Sequence, residues 1–481
     1  MTAVAVGPAA TGRNGAGGTG GTAGGQPGNT GAARTAGGAG GQTGAGRAER
    51  STPGRLRLGT LVAAVLVAAL LAVVVVTFTI ARGAASTVSS RAATASSASD
   101  LYFALSDLDA EASRQVLLGD GTSQNKVDYS SSALTALAAY NTRSQQADTD
   151  LGQLSSGSTS AAVGQLAHEI TVYRQFAGQG IALDQDSDSL AGQSSPDARG
   201  YYGIASTLME TTVLPQAASL RDSTATQLAA AADSAHRDAM IGAIGTAALG
   251  LAALIALLVL HRRVSRWFRR SVNPGVLFAA VLAAALAGAA ADTLSVLSRD
   301  TSNAGSSFGG YLAVTRARAA AYDADGAVTR YLLAPNAIAG DPLLGGIGAS
   351  GGSNTNPVAQ ALTAANTPIT ALAAGDGSIA SRWKTVSTVD MPAITRAAAD
   401  GDIDTALVVD TGISRGQDAF DFFYFDSALL DLSNSRLAAF TSANTDAQNE
   451  LADWGWLPWA LAGAALISII AGVRPRLAEF R

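Results

Sequence analysis

Hydrophobicity along this chain rises into four long apolar stretches, separated by Ala-rich sequence in which Leu recurs at helical intervals. Residues 59–81 carry no charge and exceed the roughly 20 residues needed to cross a hydrocarbon core of about 30 Å. Residues 240–260 form a second such stretch. Residues 456–473 form another, with Trp454, Trp456 and Trp459 at its start, rings of the kind that settle at a membrane–water interface. Residues 275–296 are the weakest by hydropathy, because Asp292 interrupts them after some 16 apolar residues. A cleaved secretory signal has an apolar core of about 7–15 residues after a short basic start. The first stretch is longer than that and follows 58 residues, so it reads as a span.

An internal repeat settles the fourth stretch. Gly59-Thr60-Leu61-Val62-Ala63-Ala64-Val65-Leu66 returns 216 residues later as Gly275-Val276-Leu277-Phe278-Ala279-Ala280-Val281-Leu282. Asp107, Asp109, Arg114 and Leu117 return at the same offset as Asp323, Asp325, Arg330 and Leu333. Any two Ala/Leu/Val runs look alike, but a shared run does not fix the spacing of two Asp and an Arg. The expectation is a duplicated unit, a membrane helix that continues into a soluble helix, twice over.

Arginine then orients the spans. Arg47, Arg50, Arg55 and Arg57 precede the first; Arg262, Arg263, Arg266, Arg269 and Arg270 fill the short link 261–274; Arg474, Arg476 and Arg481 occupy the tail 474–481. By the positive-inside rule these segments and both termini are cytoplasmic, which puts residues 82–239 and 297–455 outside. The expected fold is all-α: four transmembrane helices with two tandem extracytoplasmic four-helix bundles related by internal duplication. The first soluble helix stops at Gly119-Asp120-Gly121 and its copy at Pro335-Asn336, in the same register. The returning helices start after Pro196 and after Gly416; Pro215 should kink the first. Between lie helical stretches near 122–150 and 158–190, with counterparts near 356–374 and 378–399.

Composition agrees with membrane insertion: 48% of the 481 residues are hydrophobic and only 14% charged. The leader 1–58 is Gly/Ala/Thr-rich, with 17 of the chain's 53 Gly in its first 50 residues, and reads as disordered. With no Cys anywhere, the outer domains depend on packing rather than disulfides. The net charge of −5 averages basic inner edges with Asp-rich outer domains and says little about partners.

Candidate chemistry is sparse. His168, His236 and His261 are scattered, no paired carboxylates or Ser/His/Asp grouping stands out, and no nucleotide fingerprint occurs, so no enzyme, cofactor, metal or nucleic-acid partner is expected. The spans lack ionisable residues near their midplanes, which argues against transport, whereas Gly242, Gly245 and Gly250 suit close helix packing. Seven residues separate Asp107 from Arg114 and Asp323 from Arg330, placing each pair on one helix face near the membrane-distal tip. The returning helices bring Tyr201 and Tyr202, and Phe422, Phe423 and Tyr424, to that tip. Arg with exposed aromatics has the composition of a docking surface. The same residues could instead fill the end of a bundle and pair internally, or line a small-molecule pocket. Arg262, Arg263, Arg266, Trp267 and Phe268 suit lipid headgroups or an acidic protein surface, beyond any role in orientation, and are the candidate cytoplasmic relay.

A helix leaving the membrane, an outer bundle and a return span resembles the sensor module of bacterial chemoreceptors and sensor kinases, here without a following signalling coiled coil or kinase domain. The tandem layout, the repeated Asp/Arg stretch and the Gly-rich leader resemble actinobacterial membrane proteins of the GlnX type. That resemblance implies amino-acid sensing, in which an extracytoplasmic glutamine-binding-type lipoprotein engages the membrane protein and a cytoplasmic serine/threonine kinase, protein kinase G, receives the signal. It carries over no binding residue. The expected function is a transmembrane signalling adaptor in the lipid bilayer; the alternatives are direct sensing of a small ligand and a structural envelope role without signalling.

Overall fold

The computed structural model describes residues 52–156, 160–267, 273–334, 357–373 and 375–478. The leader up to residue 51, the Pro335-Asn336 stop, Phe268 and the end of the tail lie outside the described residues. Among the described residues there is no strand; the backbone groups are satisfied within helices, apart from one isolated bridge between Thr122 and Asp128.

Helix α1 (Thr52–Leu118) is a single helix of 67 residues, about 100 Å long at 1.5 Å per residue. Its one proline, Pro53, lies in the first turn, where a missing N–H costs nothing. It ends where Gly119 and Gly121 take φ of +53° and +84° and reverse the chain. A Cβ on Gly119 would meet the Ser189 carbonyl oxygen at 2.4 Å, so the stop is also a close packing point. Helices α2 (Ser130–Ser155) and α3 (Ser160–Asp186) follow as an antiparallel pair. Helix α4 (Pro196–Leu208) is capped by the Ser195 side chain, which accepts from the Ala198 N–H, and leads into α5 (Leu214–Trp267). Between α4 and α5 the expected proline kink takes the form of a π-turn, Met209–Val213, in which the Leu214 N–H reaches back five residues to the Met209 carbonyl. Widening the turn there accommodates the ring of Pro215, which cannot donate and would crowd the preceding turn.

The second half opens with α6 (Pro274–Leu333), then α7 (Pro357–Ala373), α8 (Gly377–Thr385), a second π-turn at Val386–Asp390 ahead of Pro392, and α9 (Met391–Ala399). A short helix that the sequence pattern did not mark, α10 (Ile403–Thr411), precedes the returning α11 (Asp418–Ala452) and the terminal α12 (Leu457–Ala478).

Four helical stretches are long and apolar enough to cross a membrane, within Leu58–Leu118, Pro196–Arg266, Pro274–Leu333 and Asp418–Arg474. Their bare apolar side chains, including Leu61, Val65, Ile241, Ile244, Ile467 and Ile470, suit contact with lipid. Close approach between these stretches depends on small residues: a Cβ on Gly250 would strike Ala287 at 2.2 Å, and one on Gly275 would strike Gly472 at 2.7 Å. Gly242 packs similarly on Thr77, but Gly245 faces open space and takes no part, contrary to expectation. At the outer end Phe78 stacks on Trp454 with centroids 4.1 Å apart, and the Arg82 guanidinium donates to the Leu451 carbonyl.

Burial follows the repeat. In α1 the buried Ala98, Leu101, Leu105, Leu108, Ala112 and Val116 stand 216 residues before the buried Val314, Ala317, Ala321, Ala324, Val328 and Leu332 of α6. The same offset links Tyr202, Met209 and Val213 to Asp418, Phe425 and Leu429 on the returning helices. The outer intervals do not build two separate cores, however. Residues of both halves share one continuous apolar core, because α1 and α6 pack against each other along their distal lengths. Each soluble helix is too apolar on its inner side to be covered by its own half alone.

Candidate functional site

Where α1 and α6 cross, their charged residues are buried between the two halves. Ala110 and Gly326, 216 positions apart, face each other, and a Cβ on Gly326 would lie 3.2 Å from the Ala110 Cβ. The pairings on either side are reciprocal. Arg114 Nη2 donates to Asp325 Oδ2 at 2.8 Å, and Arg330 Nη1 donates to Asp109 Oδ2 at 2.7 Å. Each arginine thus ignores the Asp seven residues before it as its main partner and reaches the other helix; Arg330 lies only 3.9 Å from Asp323, and Asp107 is taken by Arg143 of α2.

The surroundings of the two pairs differ. Asp109 also accepts from the Tyr173 hydroxyl at 3.1 Å and the Tyr202 hydroxyl at 3.3 Å, while Arg330 reaches Glu210 at 3.1 Å. Burial pushes the Asp109 carboxyl up against the pull of Arg330, and pushes Glu210 up to about 7. On the other side Arg114 is shared between Asp325 and Glu111, the latter at 3.0 Å. Asp410 of α10 and Asp418 of α11 complete that side, both about 1% exposed. One carboxylate oxygen each from Asp325, Asp410 and Asp418 lies within 4.8 Å of the others. Burial raises Asp410 to about 7 and Asp418 well above the usual carboxylate range, with Asp325 and Asp410 adding to the rise at Asp418.

A third charged pair lies closer to the membrane. Arg318 grips Asp426 with two bonds of 2.7 and 2.9 Å, and the Tyr322 hydroxyl donates to the same carboxylate at 3.2 Å. Phe103 sits between the guanidiniums of Arg318 and Arg143, at 4.3 and 4.8 Å from its centroid.

The candidate docking residues therefore separate. Tyr202, Arg330 and Phe422 are buried and Arg114 and Tyr201 half-buried, so a bare Arg/aromatic tip does not exist in the form expected. The cause is the shared core: what would be the outer face of one bundle is covered by the other. Phe423 and Tyr424 do remain exposed, at 70% and 47%, with Arg382 lying over the Tyr424 ring. Arg262, Arg263 and Arg266 are exposed on the last turns of α5, which Trp267 closes. Sequence reasoning missed Glu210, Asp410, Asp418 and Asp426. Carrying the 216-residue offset onto the returning helices would have aligned Glu210 with Asp426 and Tyr202 with Asp418.

Residues 84–233 match the family described as an actinobacterial sensor domain. This stretch holds Asp109, Arg114, Tyr173, Tyr202 and Glu210, and it marks the chain as a sensor-type actinobacterial protein. No curated protein and no solved structure matches the chain.

Proposed function

We propose that this protein is a membrane signalling adaptor: its outer part receives an extracytoplasmic solute-binding protein of the glutamine-binding type, and its inner face is read by a cytoplasmic serine/threonine kinase. The observation that carries the reading is the continuity of α1 and α6, each an unbroken helix from the buried charge layer through an apolar, membrane-length segment. A helix without a break cannot absorb a displacement at one end by bending locally, so a shift at the Ala110–Gly326 crossing reaches the spans. The sensor-domain match over residues 84–233 supports the same reading.

In this proposal the halves are two copies of one unit around a local two-fold axis through the crossing. Coincident burial registers, the self-equivalent Ala110–Gly326 contact and the exchanged Arg–Asp pairs are what such an axis produces, as in an isologous dimer. Phe423 and Tyr424 are the docking anchors, and Arg262, Arg263, Arg266, Trp267 and Phe268 form the surface that the kinase reads.

A photo-crosslinking residue at position 423, introduced in living cells, tests the docking step. Capture of an exported solute-binding protein is expected; its absence, with the protein correctly inserted, removes the adaptor reading. The relay is tested separately by Ala110→Cys with Gly326→Cys, since the chain has no native Cys and the Cβ separation is close to that of a disulfide. Locking the crossing is expected to fix kinase output at one level regardless of the outer partner. Unchanged regulation in the locked protein would show that the crossing does not move.

A further inference from the structure

The two halves solve the same electrostatic problem with different residues. Around Asp109, every neighbour but Glu210 and Asp323 is a donor: Arg330, Tyr173 and Tyr202 all point hydrogens at its carboxylate. Around Asp325 the position of Tyr202 is held by Asp418, so a hydroxyl donor is replaced by a second acid. Asp410 adds a third. All four carboxylate oxygens of Asp410 and Asp418 are buried without a hydrogen-bond partner, and so is Asp390 Oδ2 nearby. A buried acceptor left unpaired is costly, and a charged one more so.

The charge balance points the same way. Facing the cluster are Arg114 and Glu111 from α1, Asp325 from α6, Asp390 from the turn before α9, Asp410 from α10 and Asp418 from α11. That is five carboxyl groups against one guanidinium, which Glu111 and Asp325 already share.

We propose that Asp325, Asp410 and Asp418 form a binding site for one Ca²⁺-type divalent cation, clamping α10 and α11 onto α6. The donors are all carboxylate oxygens, which select a hard cation. Oxygens bound to a common ion at about 2.3–2.6 Å are separated by at most about 5.2 Å, and the cluster lies within 4.8 Å. Mg²⁺, which keeps several of its waters, is disfavoured where Asp410 and Asp418 are both about 1% exposed. Without the cation the site holds protons at neutral pH, consistent with the raised Asp410 and Asp418 carboxyls. Cation and proton therefore compete. The clamp also reaches the first half, because α10 abuts its distal loop: a Cβ on Gly192 would meet Ile403 at 2.5 Å, and Asn125 bonds Asp404.

The test uses the full chain in detergent, stripped with chelator and titrated at pH 7.5 with CaCl₂ or MgCl₂, following Tm and equilibrium binding of radioactive calcium. One Ca²⁺ per chain and a saturable rise in Tm of a few degrees are expected, with a much weaker response to Mg²⁺. Asp410→Asn and Asp418→Asn relieve the repulsion, so they are expected to be at least as stable as the stripped parent yet to lose both calcium signals. Asp418→Tyr, which installs the residue of the first half, is expected to do the same. No calcium binding by the parent between pH 6.5 and 8 would mean that protons alone hold the cluster. Binding that survives in both Asn variants would place the ion elsewhere. Either result overturns the proposal.

Discussion

Asp109 and Asp325 stand at the same register of two helices that pack on each other, and each meets an arginine from the opposite helix, yet one site is closed and the other is short of donors. The backbone placement of the two charges is common to both; what each needs is decided by the single partner at position 202 or 418. A tyrosine hydroxyl completes the first carboxylate's hydrogen bonds. An aspartate in the equivalent place leaves the second with an unmet demand for positive charge. Two nearly equivalent environments can thus differ in function, one serving as a fixed strut and the other as a place where occupancy changes the fold's stability.

The comparison breaks most readily at the strut. Arg330→Ala strands Asp109 and Glu210 in the core and is expected to cost about 3–5 kcal/mol in chemical denaturation. Arg114→Ala should cost clearly less, because Arg114 is more exposed than Arg330 (side chains 19% against 8%). Equal losses would show that the two sites are energetically alike. Next in size is Tyr202→Asp, which rebuilds the second site within the first. It removes a fully buried ring and two hydrogen bonds, for an expected loss of about 3 kcal/mol. If the extra acid creates the same demand as at Asp325, calcium should recover part of that loss.

Gly326→Ala probes the crossing that both sites share. Its Cβ would sit 3.1–3.3 Å from Arg330 and Ala110, so a loss of about 1–2 kcal/mol is expected, measured as a shift in denaturation midpoint at constant slope. The smallest effect belongs to the pH response of a single acid. Glu210 has its folded-state pKa raised to about 7 from 4.5, so its protonated form stabilises the fold fully below about 4.5, and that contribution is lost as pH rises through 7. Glu210→Gln should therefore flatten the decline in stability between pH 5 and 7.5; an unchanged slope would assign the decline to Asp410, Asp150 and Glu111, which are also raised to about 7.

Much of this architecture could be read in the chain. Apolar runs of membrane length, the glycine stop after Leu118, the start of α4 at Pro196 and the 216-residue register all appear as local patterns with local causes. The Asp/Arg stretch was visible too, but its partners were not. Arg114 and Asp107 share a helix face, and nothing in their spacing reveals that Arg143 takes the aspartate while the arginine crosses to Asp325. Depth was equally hidden. Tyr202 and Phe423 are both aromatic residues near the start of a returning helix, and one is fully buried while the other is 70% exposed.

The sequence by itself determined the helices, their lengths and the positions at which charge enters them, because hydrophobic spacing and backbone capping act within a few residues. Only the tertiary structure decided that α1 and α6 cross at Ala110 and Gly326, that the two halves share one core, and that three carboxylates meet without a donor between them. Those outcomes depend on which apolar faces cover each other across hundreds of residues, and burial turns an ordinary surface aspartate into one that must find a proton, an arginine or a cation.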